Sequence, residues 1–299
     1  MRVYRHRLFS KFLWLIFTLG AAFPAYAQRA QQKVVIPTNV ENHKLNSKLM
    51  AREMPYRVIL PVNYKNSNEK TFYPVVYLLH GLTGHFDNWT DKTKLADYAS
   101  KYNYIIVTPE GANGWYSDSE TVPNDKYESY IILELIPEID KKFRAKAERN
   151  HRAVAGLSMG GYGSIKFGLK NPEMFALVGS FSGALGAASW TEKEIGAKGV
   201  IAESLLGVYG AAGSKTRQQN DIFKMVREMP VDGIKNLPFV YLDCGTEDFL
   251  FRNNRDFAGL LAEKKVKHEF RQLPGAHDWK FWDSQIQEFL ELSENHLTR

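Results

Sequence analysis

Seven short runs rich in β-branched and aromatic residues recur along the chain, with helical patterns between them, and this alternation limits the fold more than any other feature. The runs are Tyr56–Leu60, Val75–Leu79, Tyr104–Val107, Ala153–Gly156, Leu177–Phe181, Phe239–Leu242 and His268–Gln272. Ile132, Leu135, Ile136, Ile139 and Phe143 fall on one helical face, and Trp282, Ile286, Phe289 and Leu290 on another near the C-terminus. Apolar strands joined through helices predict an α/β chain with a mostly parallel central sheet and helices on both faces. Pro137 should kink the first of these helices, because the carbonyl of Leu133 loses its amide partner there. The stretch from Gly186 to Asn236 is rich in Gly, Ala and Lys and breaks the rhythm. It is expected to form a helical excursion at one end of the sheet within a single domain spanning 28–299.

The first 27 residues have a different character. Arg2, Arg5, Arg7 and Lys11 precede an apolar run from Phe12 to Leu19, followed by Ala25-Tyr26-Ala27. Basic, apolar and small-residue parts in that order read as a secretory signal peptide, with a run too short to span a bilayer comfortably. The mature chain would then start near Gln28 and be exported to the periplasm or the medium, without a membrane anchor. Losing four basic residues and no acid takes the formal charge from +6 to +2. No Lys/Arg cluster is interleaved with aromatics, so nucleic-acid binding has no support. Cys244, the only cysteine, excludes an internal disulfide and follows an apolar run, as a small buried residue would.

The stretch "VAGLSMGGYGS", Val154 to Ser164, ends a strand and opens a helix on which Tyr162, Ile165 and Leu169 share a face. Gly156-Leu157-Ser158-Met159-Gly160 therefore fits G-x-S-x-G at a strand-to-helix junction, a nucleophile elbow that pushes the Ser158 hydroxyl beyond the sheet. A serine hydroxyl needs a base, and the base needs an acid to fix its tautomer. Of the histidines after Ser158, His268 falls in a strand and His296 in the tail. His277, in "LPGAHDWKFW", lies in a Pro/Gly loop before the last helix and is the candidate base. "LDCGTEDFL" offers Asp248 as the acid, with Glu247 as the fallback; Asp243 is still on the strand and reads as a cap. Two backbone amides are required for an oxyanion, one from Met159 and one from Leu82 in "YLLHGLTGHFDNW". His80 and His85 have no carboxylate at metal-ligand spacing, so no metal is expected. Trp115, Tyr116 and Trp190 stand in loops as candidate pocket residues, and Asp118 could orient a substrate hydroxyl or cap a turn.

Taken together, "LLHGLTG", "GWYSDS", "YESYIILELIPEID", "VAGLSMGGYGS", "LDCGTEDFL" and "GAHDW" resemble the esterase family of α/β hydrolases. That family holds esterase D, tributyrin and acetyl esterases, feruloyl-esterase-like domains and the antigen 85 mycolyltransferases. The similarity runs from about Tyr56 to Leu292. It implies the α/β-hydrolase fold, with nucleophile, acid and base at Ser158, Asp248 and His277, oxyanion amides at Leu82 and Met159, and no cofactor. The expected activity is hydrolysis of a small-molecule or carbohydrate-linked ester of short acyl, acetyl or feruloyl type through an acyl-enzyme. Acyl transfer of the mycolyltransferase kind is the alternative, and a non-catalytic binding protein on the same fold is a third reading. S-formylglutathione hydrolases of this family are cytosolic, which an exported chain would not match.

Overall fold

A computed structural model describes residues 39–297. The expected signal peptide, residues 1–27, lies outside the described residues. The sheet has eight strands: β1 (Val40–Ser47), β2 (Arg52–Ile59), β3 (Val75–Leu79), β4 (Ile105–Pro109), β5 (Arg152–Leu157), β6 (Leu177–Phe181), β7 (Phe239–Gly245) and β8 (His268–Leu273). Their order is β1-β2-β4-β3-β5-β6-β7-β8. β1 and β2 run antiparallel at one edge, and every pairing from β4 to β8 is parallel. This is the α/β-hydrolase fold with the expected layering.

The parallel strands are buried on both faces because helices cover both. Val76, Leu78, Ala153, Ala155, Phe181 and Tyr241 pack with Trp282, Ile286, Phe289 and Leu290 of the C-terminal helix Trp279–Leu297. Tyr77, Leu79, Val154 and Leu242 face the opposite layer, where Tyr162 and Ile165 of the helix Met159–Lys170 and Phe257 and Leu261 of the helix Phe251–Glu263 meet them.

Two local features depart from the sequence expectations. β1 has no apolar run: its side chains alternate buried or half-buried with exposed at the sheet edge, so His43, Lys44 and Asn46 stand where an inner strand would carry Val or Ile. Its strand character comes from eight paired positions with β2. Pro137 stands where its helix changes register. The helix Tyr127–Tyr130 runs into a π turn at Ile131–Leu135, where the amide of Ile136 reaches back to the Ile131 carbonyl, and resumes as Ile136–Lys142. The change of register places Pro137 in the first turn of a new α segment, where its missing N–H is least costly.

Between β6 and β7 the chain forms the short helices Glu192–Ile195, Val200–Tyr209, Lys215–Asn220, Ile222–Glu228 and Val231–Asn236. Among the described residues no helix is long and apolar enough to cross a membrane.

Candidate active site

Ser158 sits between β5 and the helix Met159–Lys170 with φ 52° and ψ −113°. A non-glycine residue in the left-handed region is strained, and the surrounding packing holds it there. The Ser158 amide donates to the Phe181 carbonyl (2.9 Å), and its own carbonyl accepts from Tyr162 (3.1 Å) and Ala184 (3.0 Å). The flanking glycines are required by close approach. A Cβ on Gly156 would lie 2.5 Å from the Gly160 carbonyl, and one on Gly160 would lie 2.5 Å from the Leu79 oxygen.

The structure brings Ser158, His277 and Asp248 together from three loops. His277 Nε2 stands 3.0 Å from Ser158 Oγ, and His277 Nδ1 stands 2.8 Å from Asp248 Oδ2. A carboxylate can only accept, so Nδ1 carries the imidazole proton and Nε2 faces the serine as acceptor. Asp248 Oδ1 accepts from the Leu250 amide at 2.8 Å. Burial alone would raise the Asp248 carboxyl. The His277 and Leu250 hydrogen bonds outweigh it and hold the group below its usual range. The imidazole is boxed by aromatic rings, with Trp282 edge-on at 4.9 Å and Phe249 at 4.7 Å.

Glu247 and Asp243 have other positions. The Glu247 carboxylate accepts from the Gly275 amide, while its own amide donates to the Gly275 carbonyl at 3.0 Å. It therefore clips the loop that carries His277. That loop presses on the end of β7 so closely that a Cβ on Gly245 would meet the Gly275 oxygen at 2.1 Å. Asp243 is fully buried, with Tyr241 and the Ser182 backbone against its carboxyl, and does not face His277. Burial pushes its pKa well above the ordinary value.

Leu82 borders the cavity with Gly81 and Thr83, in a turn closed by the Gly84 amide on the Gly81 carbonyl (3.0 Å). Met159 is the first residue of its helix, where an amide has no acceptor in the helix itself. His80 is buried and makes no hydrogen bond to Ser158 or His277. Its Nε2 faces the Gly111 amide (2.9 Å) and the Glu110 carboxylate (3.4 Å), and Nδ1 faces the Gly81 carbonyl (2.7 Å). It ties two loops together, and no group of His, Cys, Asp and Glu suited to a metal occurs among the described residues.

Ser158 and His277 open into a cavity of about 450 Å³. Of the three aromatic candidates, two line it. Trp115 (φ 51°) presents its indole to the cavity, with Nε1 donating to Ser204 Oγ at 2.9 Å, and Trp190 packs edge-on against it at 6.4 Å. Tyr116 does not reach the cavity. It is fully buried, its hydroxyl donates to the His80 carbonyl (3.0 Å), and its ring fills the space left by Gly111 and Gly163. Asp118 is a cap: its carboxylate accepts from the amide and hydroxyl of Ser129. Phe249, Trp279, Trp282, Val200 and Ile201 complete the walls. The two tryptophans follow His277 within "HDWKFW", a nearness the sequence reading did not use.

Sequence reasoning also missed Lys166. It lies on the elbow helix, two turns after Ser158, and is completely buried. Its ammonium donates to the Tyr116 carbonyl (2.7 Å) and to Ser117 Oγ, and pairs with Glu128 at 2.8 Å. Ser117 continues through Tyr209 (2.8 Å) to Tyr162 (2.9 Å). Burial lowers the Lys166 pKa to about 8 despite Glu128. The network pins the backbone directly after Trp115, where Tyr116 also has a left-handed φ of 49°.

Known proteins match this chain over most of its length. The family model described as Putative esterase matches residues 47–291. An acetyl esterase of Caldicellulosiruptor saccharolyticus is 26% identical over 80% of this chain and 92% of its own. Esterase Rv1288 of Mycobacterium tuberculosis is 30% identical over 74% of this chain, which spans only 51% of that protein. A solved structure of a ferulic acid esterase superposes with a TM-score of 0.72 at 29% identity, covering 86% of this chain and 98% of its own.

Proposed function

Because the chain belongs to the Putative esterase family and is a carboxylic ester hydrolase of the serine type, we propose that Ser158, His277 and Asp248 carry its reaction. The supporting observation is the unbroken relay of 3.0 Å and 2.8 Å contacts from a strained serine to a buried carboxylate, at the floor of an aromatic-walled cavity. His277 Nε2 takes the Ser158 proton as Oγ attacks the ester carbonyl. Asp248 holds the resulting imidazolium, and the amides of Leu82 and Met159 receive the oxyanion. Collapse expels the alcohol, which leaves with the proton from His277, and Ser158 keeps the acyl group. Water then repeats the sequence: His277 deprotonates it, the carboxylic acid departs, and the proton returns to Ser158.

The substrate in this proposal is an acetyl or feruloyl ester on a plant-type polysaccharide, met outside the cytoplasm after export through the N-terminal signal. The aromatic walls of Trp115, Trp190, Phe249 and Trp279 suit a flat phenolic acyl group, and the named relatives include an acetyl esterase and a ferulic acid esterase. The test is hydrolysis of acetylated xylan, feruloylated arabinoxylan and p-nitrophenyl butyrate by the purified chain, with products resolved as free acid or new ester. Free acid from a xylan ester is the expected result. An enzyme that cleaves only the nitrophenyl ester, or that passes the acyl group to added alcohol in preference to water, would contradict the proposal.

A further inference from the structure

A second cavity, of about 480 Å³, opens at the other end of the sheet. Its lining includes Pro74 and Tyr104, which immediately precede β3 and β4, whereas Ser158 follows the C-terminal end of β5. It is therefore remote from the reaction centre, and nothing in the esterase mechanism uses it.

The cavity is built rather than incidental. The 61–72 loop that forms one wall is fixed by Arg144, whose guanidinium stacks on Tyr64 at 4.1 Å and donates to the Asn68 carbonyl at 2.6 Å. Tyr73 locks the same loop through Ser67 Oγ at 2.6 Å. Phe72 at its end is left 50% exposed beside the opening. Tyr102 and Tyr104 stack, with ring centroids 5.7 Å apart and planes 5° from parallel. Tyr104 is 3% exposed and backs the Tyr102 ring from within the cavity wall.

Asn63, Lys101, Lys146 and Glu294 surround the aromatic rings. This mixture discriminates between ligand classes. A phosphate or sulfate would be drawn to Lys101 and Lys146 but would have to lie against the negative faces of the rings. A purely apolar ligand would leave the Asn63 amide and the Lys101 and Lys146 ammonium groups unmatched. A pyranose chain has apolar C–H faces to lay on Phe72 and Tyr102, and hydroxyls that both donate and accept to meet the polar rim. We infer that this cavity is a second carbohydrate-binding site, which holds a neutral β-linked oligosaccharide of the xylan type while a different part of the polymer is deacylated. The choice of xylan over other glycans rests on the proposed substrate; the presence of a glycan site rests on the cavity itself.

Titration calorimetry with unesterified xylohexaose tests it. The full chain should bind the oligosaccharide, and Phe72→Ala and Tyr102→Ala should each weaken binding by about tenfold, the loss of one aromatic contact. Both variants should hydrolyse p-nitrophenyl acetate at the wild-type rate, which shows that they fold. Undiminished binding by both variants would place the sugar in the catalytic cavity and overturn the inference, as would no binding by the wild type. Failure of the substrate reading is seen separately, as no acid released from acylated xylan.

Discussion

Ser158, His277 and Asp248 stand beside Lys166, Glu128 and Ser117, and the two polar groups are built on opposite plans. The first leaves Ser158 Oγ facing a cavity, so that one proton can move. The second turns the Lys166 ammonium wholly inward onto a carbonyl, a hydroxyl and a carboxylate, and so fixes a loop. Both are anchored on the helix Met159–Lys170, and both bear on the same cavity, one through the reacting atoms and the other through the loop that presents Trp115. The difference separates chemistry from scaffolding: damage to the first group should remove rate and spare stability, and damage to the second should do the reverse.

The largest expected effect comes from Ser158→Ala, which should lower kcat by about 10⁴-fold or more while leaving thermal unfolding near wild type. A stability loss comparable to that of a core mutation would blur the comparison. Asp248→Asn should follow, with a loss on the order of 10³-fold in kcat, because the amide can donate to Nδ1 and favour the wrong tautomer of His277. Steady-state kinetics on p-nitrophenyl acetate measure both.

Lys166→Met should behave in the opposite way. Removing the cation strands part of the Glu128 charge, which keeps Lys170 at 2.9 Å. The expected cost is therefore about 3 kcal/mol, at the low end for a broken buried pair, or a fall in Tm of roughly 5–10 °C. The kcat for a small acetyl ester should change little. The pH dependence sharpens this. Burial holds the folded Lys166 pKa at about 8, below its unfolded value of 10.5, so the unfolded chain binds the extra proton between those values. The contribution of this group to stability is thus full above pH 10.5 and lost as pH falls through 8. Tm of the wild type, measured relative to Lys166→Met, should rise from pH 8 to pH 10. A neutral amine still donates, so the loop after Trp115 stays in place. A flat difference across that range would contradict the buried placement of the ammonium.

The smallest effect is expected at Trp190. Replacement by alanine opens the wall beside Trp115 and should raise KM for a feruloyl ester by roughly tenfold with little change for acetyl. Equal changes for both acyl groups would mean that the wall does not sort substrates.

Much of this was legible because the site depends on backbone constraints that leave marks in the sequence. Gly156 and Gly160 are there since no Cβ fits, and the strand before them and helix after them could be read from periodicity. His277 could be singled out by eliminating a strand histidine and a tail histidine, and Asp248 was preferred over Glu247 by its place in the loop. What was not legible depends on contacts between distant segments. Lys166 on a helix pattern looks like a solvated residue until Tyr116 and Glu128 close over it. Tyr116 and Trp115 are neighbours in a loop, and only the left-handed turn at both sends one ring into the cavity and the other beneath it. β1 is a strand by virtue of its partner, so its own polar residues gave no signal.

The central claim is that the Ser158 hydroxyl, activated by His277, is the group that carries the acyl chain. Intact-mass and peptide mass spectrometry after treatment with a fluorophosphonate test it directly. The account predicts a single adduct on the Ser158 peptide, absent in Ser158→Ala and formed far more slowly in His277→Ala. An adduct on another residue, or unchanged labelling kinetics without the imidazole, would contradict it.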